Sequence, residues 1–108
     1  MARMEKLEAK LKDARGLDEG TRTELLALLE SLRGDIGALD AEHGDRAESI
    51  AGFAGAATHE AIRTERNPAL LKLALDGLSV SVKDMEAGHP KLVNTVNGIC
   101  TMLSDLGI

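Results

Sequence analysis

The chain has 108 residues, 13 basic against 18 acidic, a net charge near −5, and an apolar fraction of 44% in which Phe53 is the sole aromatic residue. That length suits one domain with a modest core. Recognition by stacking on aromatic rings is excluded, and a phosphate backbone would be repelled, so no nucleic-acid partner is expected. The single cysteine, Cys100, rules out an intramolecular disulfide and a thiolate zinc cluster, and no cofactor is expected.

The start, "MARMEKLEAK", lacks the apolar stretch of a secretory signal, and "IAGFAGAA" is too short to span a bilayer. A cytoplasmic protein with no membrane partner is the expectation. Apolar residues then recur at the alternating three- and four-residue spacing of a helix seam in five successive segments. The first runs Met4, Leu7, Leu11 and Ala14, and Gly16 should end it.

The second runs Leu25, Leu29, Leu32, Ile36 and Leu39. Asp18 or Thr21 opens it, and "TRTE" from Thr21 to Glu24 has the form of a capping box, in which hydroxyl and carboxylate satisfy each other's orphan backbone donors. The third, Ala47, Ile50, Ala54, Ala57 and Ala61, is built largely of alanine. Gly44 and Asp45 in "EHGD" separate these two, which predicts an antiparallel turn between helices of about 20 residues, each roughly 30 Å long.

Asn67 before Pro68 is an N-cap followed by a proline at the first helical position, and it starts the fourth segment, Leu71, Leu75, Leu78, Val82 and Met85. His89 before Pro90 repeats the arrangement for the fifth, Leu92, Val96, Ile99, Leu103 and Leu106, which Gly107 should stop. The short joints "RNP" and "GHP" fit either corners or kinks. The fold predicted is all-α: an antiparallel helical hairpin or bundle of four main helices plus a short N-terminal helix, one domain over residues 1–108.

Glycine sits inside these helices at 34, 37, 52, 55, 77 and 98, at a cost of about 1 kcal/mol each relative to alanine. On the seam register Gly34 and Gly37 share a face with Ala27 and Ala41, opposite the core stripe. The third segment carries Gly52, Gly55, His59 and Ile62 there, and the fourth carries Leu70, Leu73, Gly77 and Val80. Small residues let another backbone approach, from the same chain or a second copy. The competing reading, exposed glycines on a marginally stable protein, does not account for Leu70, Leu73 and Val80. The candidate interface is therefore Gly52, Gly55, Ile62, Leu70, Leu73, Gly77 and Val80.

Residues with reactive groups do not assemble into a motif. Glu86 and His89 have the Glu-x-x-His spacing of di-metal carboxylate bundles, but such a site needs a second pair, and His43 and His59 do not supply one. His89 reads as a helix-start residue. Cys100 beside Thr101 lacks a base and an oxyanion donor pair in sequence and reads as a small hydrophobe. Asn94 and Asn97 should face water, and no strand-to-helix glycine loop is present to cradle phosphate.

"MEKLEAKLKDARGLDEGTRTELLALLESLRGDI" together with "VKDMEAGHPKLVNTVNGICTMLSDLGI" resembles a family of small bacterial helical proteins, domain of unknown function 4404. The "LDEGTR" helix start, the "GHPKL" joint and the "LSDLGI" ending carry the resemblance over the two outer thirds; the middle matches less. It implies a short all-α protein and transfers no functional residue. The functional expectation is a non-enzymatic interaction module that self-associates as a dimer, with an unidentified protein as a further possible partner. A bundle holding a metal ion or apolar ligand in its interior is the alternative.

Overall fold

The computed structural model describes residues 2–14, 17–63, 65 and 67–106, carried by four helices: α1 (Ala2–Asp13), α2 (Glu19–Ile62), α3 (Pro68–Ser81) and α4 (Pro90–Leu106). No strand occurs among the described residues. A straight helix of the 44 residues of α2 would be about 66 Å long. The molecule measures only 38 × 24 × 20 Å, so α2 is folded back on itself. The fold occurs at His43 (φ −138°, ψ 57°), the one residue of α2 whose backbone leaves the helical region. Counting its arms, 19–42 and 44–62, as two helices gives the predicted bundle of four main helices and a short first one.

A bend of one residue fixes which side chains are level, because residues equidistant from His43 lie at equal heights along the two arms. The seams mirror each other about it: Leu39 with Ala47, Ile36 with Ile50, Leu32 with Ala54, Leu29 with Ala57 and Leu25 with Ala61. All ten are buried. Four of the five levels set a leucine against an alanine, so the alanine-rich seam is the space into which the leucines of the first arm pack. Ala51 and Thr58, outside the predicted seam, are buried as well.

Chain ends and joints are set by local hydrogen bonds. Asp18, not Thr21, caps α2: its carboxylate accepts from the N–H groups of Gly20 and Thr21, and the Thr21 hydroxyl donates to it at 2.8 Å. The predicted capping box beginning at Thr21 therefore does not form, because Thr21 is already inside the helix. Asn67 caps α3 as predicted, accepting from the N–H groups of Ala69 and Leu70 with Pro68 behind it. The backbone is extended at both Arg63 and Asn67, so α3 is a new helix rather than a kinked continuation of α2.

The joint before α4 differs from expectation. Helix α3 stops at Ser81, and residues 82–89 form a loop in which Asp84 takes a left-handed backbone (φ 74°). Val82 and Met85 are buried as the seam requires, but from the loop rather than from a helix. Asp tolerates the left-handed region because its short carboxylate can bond locally. Gly16 and Gly107, the expected helix stops, and the side chains of Met4 and Ala41 lie outside the described residues.

Helices α1, α3 and α4 pack around the hairpin. Leu7 and Leu11 bury the apolar edge of α1, the Glu8 carboxylate lies 3.4 Å from the Arg33 guanidinium, and Arg22 Nη2 donates to the carbonyl of Ala14. Helix α4 buries Val93 and Thr95 beyond its predicted seam, and Thr95 Oγ1 lies 3.3 Å from Asp35 Oδ2 on the first arm. Its Gly98 admits Leu28, whose Cδ2 would be 3.3 Å from a Cβ placed there.

Candidate functional site: the outward face of α3

Helix α3 is apolar on two sides because Leu71, Ala74 and Leu78 recur on one face and Leu70, Leu73 and Val80 on another. The first set is in the core. The second is not: Leu73 is 66% exposed, Val80 65% and Leu70 42%. These three, with Phe53 of α2 at 40%, are the large apolar side chains exposed among the described residues. They are neighbours.

Phe53 joins the stripe through Gly77. A Cβ on Gly77 would lie 2.3 Å from Phe53 Cε1 and 2.4 Å from Cδ1, so the ring rests on the bare glycine backbone. An aromatic side chain from the second arm of α2 thus fills the place that residue 77 leaves empty, and the stripe runs Leu70, Leu73, the Phe53 ring, Val80. Its polar border is Lys72 and Asp76, which are paired at 3.2 Å and exposed.

The other candidate interface residues lie elsewhere. Gly52 and Gly55 line a groove that has Lys6, Leu7 and Lys10 of α1 on its other side, and a Cβ on Gly55 would meet nothing within 4 Å. Ile62 packs against the core at the end of α2. The structure brings Leu70, Leu73, Gly77 and Val80 together and separates them from Gly52, Gly55 and Ile62. Phe53 was absent from the sequence-derived set because only the fold brings it across to Gly77. Gly34 and Gly37, on the far face of the first arm, have open space around a Cβ position.

The reactive residues are scattered. Cys100 lines an open groove of about 640 Å³ between α3 and α4, with Leu71, Leu75 and Ser79 among its neighbours. Burial pushes its thiol up from the ordinary range and the Asp76 carboxylate adds to this, while the Ser79 hydroxyl, 3.8 Å away, acts in the opposite direction. A thiol held protonated in this way is a poor nucleophile. The imidazoles of His43 and His89 meet edge to face with centroids 6.3 Å apart, where the α2 bend touches the 82–89 loop. Arg46 donates to the Lys83 carbonyl at the same end. His59 is near the opposite end of the second arm. Among the described residues no group of three or more His, Cys, Asp or Glu side chains is placed to hold a metal ion, and no helix is long and apolar enough to cross a membrane. Asn94 and Asn97 are exposed.

No family model, curated protein or solved structure matches the chain.

Proposed function

We propose that this chain is a non-enzymatic helical interaction module, acting in the cytoplasm, that self-associates as a dimer through the outward face of α3. One observation supports the reading above the rest: two-thirds of Leu73 and of Val80 stands in water on a helix whose opposite face is already in the core. Contiguous apolar surface of this kind marks a contact site more often than an incidental feature. The resemblance to domain of unknown function 4404 is proposed on the same footing and adds no functional residue.

Sedimentation equilibrium tests the reading. A dimer in exchange with monomer at tens of micromolar is expected, and Leu73→Asp shifts it toward monomer because it places an unpaired charge in the contact. A parent chain that stays monomeric across that range sinks the proposal. The second reading, a bundle that holds an apolar ligand or a metal ion, draws on the groove between α3 and α4 and on the His43 and His89 pair. A thermal-shift screen with apolar ligands, and metal analysis of protein purified without a histidine tag, separate it from the first.

A further inference from the structure

We infer that the two copies meet along α3 in antiparallel orientation about a two-fold axis level with Leu75; the inference rests on the self-association proposed above and adds its geometry. The stripe is symmetric in spacing: Leu70 and Val80 lie five residues to either side of position 75, and Leu73 and Gly77 two residues to either side. In an antiparallel pair with its two-fold at that level, Leu70 of each copy meets Val80 of the other. Leu73 meets the Phe53 ring that covers Gly77. A parallel pair sets Leu73 on Leu73 and one Phe53-covered Gly77 on the other.

Charge selects the same orientation. A two-fold perpendicular to the helices keeps the same flank of each copy on the same side, so the polar borders adjoin. Lys72 of one copy then lies within about two residues' rise, roughly 3 Å, of level with Asp76 of the other. Each border carries one cation and one anion, both exposed. Along the axis the antiparallel pair orders the charges Lys72, the other copy's Asp76, Asp76, the other copy's Lys72, which makes two opposite-charge neighbours against one like-charge neighbour; a parallel pair, whose two-fold runs along the helices, puts the two borders on opposite sides of the contact and brings none of these charges together.

The test uses single cysteines in a Cys100→Ser background, Leu70→Cys in one chain and Val80→Cys in another, oxidised separately and as a mixture. In the antiparallel dimer position 70 is about 15 Å along the axis from its own copy but level with position 80 of the other, and a disulfide needs Cβ atoms about 4 Å apart. Cross-linking is therefore expected in the mixture and absent from each variant alone. Cross-linking of Leu70→Cys with itself as fast as in the mixture overturns the antiparallel register and leaves self-association standing. No cross-linking in any sample overturns the α3 contact if the parent sediments as a dimer, and self-association itself if the parent is monomeric. Charge gives a second readout. Lys72→Glu weakens the dimer by about two- to fivefold, and Lys72→Glu with Asp76→Lys restores it, because like charges facing each other destabilise about as much as opposite ones help. Equal weakening by the single and double variants counts against the register.

Discussion

The two arms of α2 form a single hairpin but are built from opposite materials. The first arm supplies bulk, with Leu25, Leu29, Leu32, Ile36 and Leu39, and turns its glycines 34 and 37 to open space. The second supplies room, with Ala47, Ala54, Ala57 and Ala61 fully buried, and sends Phe53 outward onto Gly77. Volume that one arm lacks is made up by the other. A residue's size in this core therefore has meaning only together with the residue at equal distance beyond His43.

The largest expected effect breaks the bulky side of the comparison. Leu29→Ala leaves a cavity that the level Ala57 is too small to fill and costs about 2–5 kcal/mol. Ala57→Leu, the reverse change on the other arm, overpacks and costs about 1–3 kcal/mol. Combined in one chain, the two changes exchange the sizes at that level and cost clearly less than their sum, since contacting positions are not additive. Chemical denaturation of the three variants reads this directly, and strict additivity would show that the two residues are not level.

Glycine sharpens the comparison at smaller scale. Gly34→Ala meets nothing within 4 Å and stabilises the fold by about 0.5–1 kcal/mol through helix propensity. Gly77→Ala has the same propensity gain but must displace the Phe53 ring, so it falls short of Gly34→Ala by about 1 kcal/mol. Phe53→Ala with Gly77→Ala should recover the propensity gain relative to Phe53→Ala alone. Thermal melts at one protein concentration decide whether the ring is the obstacle.

The smallest effect lies where the first arm begins. The Asp18 carboxyl is held below its usual value of 3.8, first by the Thr21 hydroxyl and then by the N–H groups of Gly20 and Thr21. A depressed carboxyl contributes stability that is present above 3.8 and lost as the pH falls through the lower folded value. Asp18→Ala should therefore be less stable than the parent at neutral pH, with the gap closing in acid. A gap unchanged down to pH 2 would remove the carboxylate from the account of this cap.

Much of this was legible in the sequence because a helix seam repeats locally. Five apolar runs gave five helical pieces, and Asn67 with Pro68 marked a true start, since capping depends on residues three or four apart. The errors come from interactions without local spacing. Val82 and Met85 keep the seam's rhythm beyond the end of α3, so periodicity reads a loop as helix, and the left-handed turn at Asp84 leaves no mark on it. At the candidate site, Leu70, Leu73 and Val80 were visible as a second stripe. Phe53 was not, because its place on Gly77 is set by how the second arm lies against α3. The glycine pair at 52 and 55 has the same kind of spacing but lines a groove beside α1 instead, a distinction that spacing within one helix cannot make.

The bend at His43 bears on how this chain can change its length. With a single residue outside helical geometry, there is no slack between the arms. One residue added or removed beside His43 turns the whole following arm by about 100° and shifts it by about 1.5 Å, which carries the alanine seam off the leucines at every level. The 82–89 loop is different, since lengthening a loop by one residue costs only a small closure entropy. A glycine inserted after His43 should thus abolish the cooperative thermal transition, while one inserted after Asp84 should lower its midpoint only slightly. A change of length is expected to be tolerated in the 82–89 loop, while the hairpin must keep one fixed length.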